Sequence, residues 1–129
     1  MSRYIADSLK KQVIDRANYR CEYCLQPDLF AYISHQIDHI ISIKHGGENN
    51  LDNLAYACFQ CNVNKGSDIG TVLLPDRTLI RLYNPRIDYW HDHFEIENGV
   101  IYAKTAIGQA TIKILDFNDV DRVLERQGD

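Results

Sequence analysis

The four cysteines of the chain fall into two C-x-x-C pairs, Cys21 with Cys24 and Cys58 with Cys61. In a reducing compartment such pairs usually hold a metal ion, and four thiolates at tetrahedral geometry suit zinc. A four-thiolate site leaves no open position for a substrate, so it is structural. The alternatives are four unrelated buried cysteines, or a redox pair, which would not need a second pair. The spacing therefore predicts one structural zinc site.

The residues between and beside these pairs include a set that could hydrolyse a phosphodiester bond. Such hydrolysis needs an activated water, charge relief on the phosphate and help for the leaving oxygen. His39 is the candidate general base, because imidazole titrates near neutral pH. Asp38 precedes it on a predicted strand and points to the other face, so it could bind a metal ion. Asn62 offers an amide oxygen as a second ligand, and oxygen ligands suit magnesium or manganese.

The order of these residues resembles the HNH endonuclease family, in the subgroup whose motif is bracketed by two C-x-x-C pairs. The matching stretch comprises Ile37-Asp38-His39, His45-Gly46-Gly47, Asn53-Leu54 and Cys58-x-x-Cys61-Asn62-x-x-Lys65-Gly66. The third letter of the motif falls on Asn62, as in phage resolvases, which makes this an H-N-N variant. The resemblance implies a ββα-metal finger. It also implies a nuclease that nicks or cleaves DNA and leaves 5′-phosphate and 3′-hydroxyl ends.

Four further residues receive supporting roles. Asn53 belongs to the predicted catalytic set as the middle letter of the motif, whose family role is mainly structural, and its side chain would hydrogen-bond backbone across the loop. Lys65 lies three residues after Asn62 on the same helix face, where it could meet a phosphate. His35 and His45 are candidate substrate contacts. His35 could equally have a supporting role, and His45 could simply belong to the loop.

Structural alternatives remain open for other residues of the set and of the C-terminal half. Asp38 could only orient a histidine, and Asn62 could be a helix-cap residue. His91 and His93 flank an aspartate and resemble a metal cluster, but the aromatic residues beside them favour packing. Three arginines could track phosphates or only keep the surface soluble: Arg77, Arg81 and Arg86.

Hydrophobic periodicity and turn residues predict the elements that position this set. In the N-terminal half these are a helix from an N-cap at Asp7 or Ser8 to Asn18, a strand over 33–41, a polar loop over 44–53, a strand over 54–57 and a helix over 58–65. In the C-terminal half they are hairpins over 71–82 and 94–103, and helices over 105–115 and 118–127 with Thr105 and Asn118 as N-caps. The expected fold class is α+β, a zinc-stapled finger over 21–66 with an extension over 67–129, in a single domain over 1–129.

Charge is distributed unevenly along the chain, whose formal net charge is -4. Residues 1–66 carry seven basic and seven acidic side chains, and residues 67–129 carry seven and eleven. Affinity for nucleic acid would therefore rest on local lysines, arginines and metal. No apolar run is long enough to span a membrane and residues 1–10 do not resemble a signal peptide, so we expect a cytoplasmic protein. A zinc-stapled module that binds without cutting and an RNA nuclease are the competing interpretations. Cleavage of both strands would favour a homodimer.

Overall fold

The computed structural model of the protein describes residues 4–29 and 31–128. It divides the chain into two compact units, with the boundary between Ser67 and Asp68. Helices alternate with two-stranded antiparallel hairpins, which confirms the α+β class. The single domain over 1–129 stays a prediction. No helix within the described residues has the length and apolar character needed to cross a bilayer.

The first unit contains the ββα arrangement expected between the cysteine pairs. Its elements are α1 (Asp7–Arg16), β1 (Gln36–His39), β2 (Leu54–Ala57) and α2 (Phe59–Lys65). Two 3-10 turns, Ile43–His45 and Leu51–Asn53, lie within the loop that joins the strands. The strands pair antiparallel, with Gln36 opposite Ala57 and His39 opposite Leu54. The second strand and the second helix thus follow the predicted bounds to within one residue.

The first strand is shorter than the predicted 33–41, and the reason lies in its partner. β2 has four residues, because a 3-10 turn precedes it and Cys58 leaves it to N-cap α2. A strand continues only where its backbone groups find partners, so β1 also has four residues. The start of α1 also differs from the prediction. Its N-cap residue is Ala6, whose side chain cannot form a capping hydrogen bond, so the prediction that Asp7 or Ser8 is the N-cap is wrong.

A small apolar core holds α1 against β2 in the first unit. Ile5, Val13, Leu54 and Tyr56 are buried there. The side chain of Arg16 reinforces this packing, since it donates to the carbonyl oxygens of Leu51 at 2.8 Å and Leu54 at 2.7 Å. The helix that precedes the finger is therefore fastened directly to the second strand.

The described part of the second unit contains two hairpins and two helices in the predicted order, and a short helix between the hairpins that the sequence did not predict. They are β3 (Gly70–Leu73), β4 (Thr78–Arg81), α3 (Trp90–His93), β5 (Phe94–Glu97), β6 (Val100–Ala103), α4 (Ala106–Leu115) and α5 (Val120–Gln127). Asn98 and Gly99 both have positive φ, 52° and 80°, as a two-residue type I′ turn requires.

One predicted cap of this unit is confirmed and one is wrong. The Thr105 side chain accepts from the Gly108 N–H at 3.1 Å and caps α4. Helix α5 is capped by Asp119 rather than by Asn118. The Asn118 amide is engaged elsewhere, because it accepts from the Ile101 N–H at 2.9 Å and donates to the Ile101 carbonyl at 2.8 Å.

Candidate metal centre and active site

Both cysteine pairs adopt the same local turn. The Cys24 N–H points to the Cys21 Sγ at 3.4 Å, and the Cys61 N–H points to the Cys58 Sγ at the same distance. Leu25 closes the first turn with a φ of 68°. Each pair thus presents its two sulfur atoms from a tight turn whose backbone amides favour the thiolate form.

The two turns bring the four sulfur atoms into one cluster, as the spacing predicts. All four lie within 4.8 Å of one another, and Cys24 Sγ and Cys58 Sγ are 3.7 Å apart. Tetrahedral zinc with Zn–S bonds of about 2.3 Å separates its sulfur ligands by about 3.8 Å, so the cluster fits zinc. Burial raises the pKa of the Cys21 and Cys61 thiols, and metal binding would release their protons. Within the described residues, no other group of three or more histidine, cysteine or acidic side chains could hold an ion.

The first cysteine turn is also joined to the finger by hydrogen bonds. The Glu22 N–H donates to the Tyr56 carbonyl at 2.8 Å, and the Glu22 carboxylate accepts from the Tyr56 N–H at 3.0 Å. Tyr23, buried in the same turn, donates its hydroxyl to Asp38 Oδ2 at 2.7 Å. The cysteine turn therefore supports both strands of the finger.

A cleft of about 340 Å³ in the first unit brings three predicted catalytic residues together. Asp38, His39 and Asn62 line it, with Lys44 and Gly66 among the other lining residues. The two strand neighbours Asp38 and His39 share this cleft although their side chains alternate along β1. The imidazole of His39 is half-buried, and its Nε2 lies 2.5 Å from Asn49 Oδ1.

Asp38 contributes a carboxylate to the cleft and is buried, with 4% of its surface exposed. Besides the Tyr23 hydroxyl, the Lys65 ammonium lies 3.3 Å from its Oδ2. Burial raises the pKa of Asp38, while the Lys65 charge and the Tyr23 hydrogen bond oppose that rise. The two donors hold the carboxyl group in place inside the protein.

Lys65 does not lie open to solvent, as a lysine at a helix end usually does. It is 2% exposed, and its ammonium also donates to the His39 carbonyl oxygen at 3.0 Å. A buried ammonium needs such partners, because an unpaired buried charge is strongly destabilising. This placement does not favour the predicted phosphate contact, since the side chain instead braces the end of β1.

Asn62 lies on α2 and is half-buried in the cleft. Its amide nitrogen donates to Gln36 Oε1 at 2.5 Å. With the nitrogen engaged in this way, the amide oxygen is the atom that could serve as a metal ligand. An amide oxygen and a carboxylate in one cleft form a donor set that fits magnesium or manganese.

Asn53 clamps the loop that follows His39. Its side chain accepts from the Ile41 N–H at 2.9 Å, and donates to the carbonyls of Ile41 at 2.9 Å and Glu48 at 3.0 Å. The clamp requires a glycine at position 47, where an added Cβ would lie 1.7 Å from the Ile41 carbonyl oxygen. These are backbone hydrogen bonds of the kind the sequence predicts for Asn53.

The two candidate substrate histidines lie outside the cleft. His35 precedes β1, bonds through Nε2 to the Gln26 carbonyl at 2.9 Å and lines a separate cavity. Its ring centroid is 5.2 Å from that of Tyr56, so a supporting role agrees with its surroundings. His45 is exposed at the end of the 3-10 turn Ile43–His45. Their contacts to substrate stay predictions.

In the second unit, His93 and Arg81 are engaged in ring packing, a hydrogen bond and an ion pair. His93 Nδ1 lies 2.6 Å from Thr105 Oγ1, and its ring packs against the edges of Tyr83 and Phe94. Arg81 forms a bidentate pair with Asp88 at 2.7 and 2.8 Å. These contacts agree with packing rather than with a metal cluster.

Two residues of the site were missed by the sequence analysis. Tyr23 lies between the two cysteines of the first pair, and an aromatic residue at that position could have indicated a buried side chain next to the site. Asn49 was hidden in the polar loop, where nothing in the local sequence separates it from Asn50. Both act on residues 10 or more positions away, so only the fold reveals them.

Comparisons with known proteins agree with this site. Residues 21–68 match the family described as HNH endonuclease. A CRISPR-associated endonuclease Cas9 from Corynebacterium diphtheriae is 35% identical over 63 residues, which are 48% of this chain. The chain spans 6% of the length of that protein. No solved structure matches the chain. The resemblance recognised in the motif is thereby confirmed.

Proposed function

Since residues 21–68 match the HNH endonuclease family, we propose that the chain is a metal-dependent endonuclease that cuts DNA and leaves 5′-phosphate and 3′-hydroxyl ends. The observation that carries the proposal is the single cleft lined by Asp38, His39 and Asn62. A histidine beside two oxygen ligands, in a space open to a phosphodiester, supplies the groups that hydrolysis needs.

In this proposal His39 is the general base. Its imidazole takes the proton of the attacking water, which makes the water a stronger nucleophile. Asn53 holds the loop after His39 to backbone groups, so the ring keeps its place as the charge develops. Lys65 acts on the same strand end, because it bonds to the His39 carbonyl and to Asp38.

Two metals have separate tasks in the proposal. Cys21, Cys24, Cys58 and Cys61 hold a structural zinc, and Asp38 and Asn62 hold magnesium or manganese. The ion in the cleft would relieve negative charge on the phosphate and its leaving oxygen. Asp38 is already held by Tyr23 and Lys65, so binding of this ion would use a carboxylate whose position is fixed by the fold.

The test is cleavage of supercoiled plasmid by the zinc-loaded chain with Mg²⁺ or Mn²⁺. We expect His39→Ala to lose cleavage by about 10²- to 10⁴-fold, the usual worth of general-base catalysis. DNA affinity, zinc content and thermal stability should stay close to those of the parent, because a general base acts mainly on the transition state. His91→Ala, a change at an exposed histidine of the second unit, is the matched control and should cut normally.

Further arms separate the competing functions. EDTA at modest concentration should stop cleavage without loss of zinc, because four thiolates hold their metal far more tightly than two oxygen ligands. Equal cleavage by the parent and His39→Ala would contradict the mechanism. Binding of DNA without any cleavage would point to a zinc-stapled binding module, and cleavage confined to RNA to an RNA nuclease. A double-strand cut would favour a homodimer. The protein is also proposed to act in the cytoplasm, where cysteine thiols stay reduced and can bind zinc.

A further inference from the structure

Asn49 links the candidate general base to the start of the described chain. It lies in the loop between the two 3-10 turns and is half-buried. Its Oδ1 is 2.5 Å from His39 Nε2, and its Nδ2 donates to the Tyr4 carbonyl oxygen at 2.8 Å. The same amide thus contacts an imidazole on one side and a backbone carbonyl on the other.

The Tyr4 carbonyl determines the orientation of the Asn49 side-chain amide. A backbone carbonyl oxygen can only accept a hydrogen bond, so the NH₂ group of Asn49 must be the end that meets Tyr4. The amide oxygen then faces His39, and this oxygen can only accept as well. The hydrogen bond to His39 therefore needs a proton on Nε2. A neutral imidazole carries one N–H, so its Nδ1 keeps a free lone pair.

We propose that Asn49 is a positioning residue of the reaction: its amide oxygen holds His39 in the tautomer whose Nδ1 is the proton-accepting atom. The inference rests on the function proposed above. Asn49 differs from Asn53, whose side chain forms its hydrogen bonds with backbone groups of the loop. Asn53 shapes the loop, whereas Asn49 selects the nitrogen of His39 that remains free to act as the base.

Two variants of similar size separate this role from a structural one. Asn49→Asp and Asn49→Leu both remove the donor to the Tyr4 carbonyl, so both lose the tether to that segment. The aspartate keeps an acceptor for His39 Nε2–H, and the leucine does not. Asn50→Leu is the control for the loop, since Asn50 is exposed and makes no capping hydrogen bond.

The kinetic test compares these variants on plasmid DNA under saturating metal. We expect Asn49→Leu to lower kcat roughly 10- to 100-fold, by analogy with the loss of a hydrogen-bond partner that orients a metal-binding histidine. KM should change little, because the lost contact acts on the base and not on substrate binding. Asn49→Asp should recover most of the lost kcat, and Asn50→Leu should match the parent. Equal losses in the aspartate and leucine variants would overturn the proposal.

A second readout does not depend on cleavage. In the ¹⁵N-labelled, zinc-loaded chain, at a pH well above the range in which free imidazole titrates, His39 should carry its proton on Nε2. The exchange of this proton with water should be slow in the parent and in Asn49→Asp, and fast in Asn49→Leu. A proton found on Nδ1 of the parent would contradict the inference. If the parent cuts no nucleic acid, the proposed function fails, while this spectrum still decides whether Asn49 sets the tautomer.

Discussion

The first and second units bury different kinds of side chain. Among the described residues of the first unit, the buried apolar side chains include the four cysteines, and the buried polar or charged residues are His35, Asp38, Asn53 and Lys65. In the second unit aromatic rings fill the interior, and the buried polar residues are Thr111 and Arg122. Phe94 lies at the centre of that aromatic group, with ring centroids of Trp90 at 5.0 Å and Phe117 at 5.5 Å.

The buried polar groups of the two units also have different partners. Arg122 donates to the carbonyl oxygens of Leu115 and Asp116, so it stabilises the end of α4. The Thr111 hydroxyl accepts a hydrogen bond from the Tyr83 N–H, so it too pairs with a backbone group. In the first unit, Asp38 and Lys65 instead pair with each other beside a cleft. We expect the cysteine cluster, once it binds metal, to supply part of the stability of the first unit, because metal-binding free energy contributes to folding in small zinc domains.

The largest expected effect is that of removing one cysteine ligand. Cys58→Ser should abolish zinc binding and unfold much of the first unit, since structural zinc contributes about 10 to 16 kcal/mol to the folding of small zinc domains. Hydrogen exchange should show the loss of protection in β1 and β2, while β5 and β6 keep theirs. Val63→Ser, at an exposed position of α2, is the control. Full protection of β1 in a zinc-free Cys58→Ser protein would mean that the cluster is not what holds the first unit.

A change in the aromatic core should have the converse effect. Phe117 is fully buried, and Phe117→Ala should destabilise the second unit by about 3 to 5 kcal/mol through lost burial and the cavity left behind. Zinc content and protection of β2 should stay at the parental level. Leu124→Ala, at an exposed position of α5, should have little effect. Loss of zinc from Phe117→Ala would show that the two units do not draw their stability from separate sources.

The smallest expected effect concerns a single hydroxyl in the first unit. Tyr23→Phe removes the donor to Asp38 Oδ2 without changing the ring, and a hydrogen bond to a charged group is worth about 1.5 to 3 kcal/mol. We expect lower stability, unchanged zinc content and weaker Mn²⁺ binding measured by calorimetry, because Asp38 is then less firmly held. Tyr102→Phe, at an exposed tyrosine of β6, is the matched control. If Tyr23→Phe kept the stability and Mn²⁺ affinity of the parent, the Tyr23 hydroxyl would not be what positions Asp38.

Much of the local structure could be predicted because its causes are local. The Asn98-Gly99 turn supplies the positive φ values that its hairpin needs, and Thr105 supplies a cap for the helix that follows. The end of β1 could not be predicted in this way, because the number of residues in β2 sets it. Asn118 was misassigned because a strand elsewhere in the second unit takes up the amide expected to cap α5.

The sequence by itself determined the cysteine cluster, the ββα order and the identity of the candidate catalytic residues. Each depends on residue type and spacing, which place ligands and turns with little help from the rest of the chain. Only the tertiary structure decided the partners of the polar groups. Tyr23 meets Asp38 across 15 positions, and Lys65 meets it across 27. The fold of the chain between two such residues determines whether their side chains come into contact. For the same physical reason Lys65, which by its spacing could have met a phosphate, lies buried against Asp38, and an asparagine of the loop faces the candidate base.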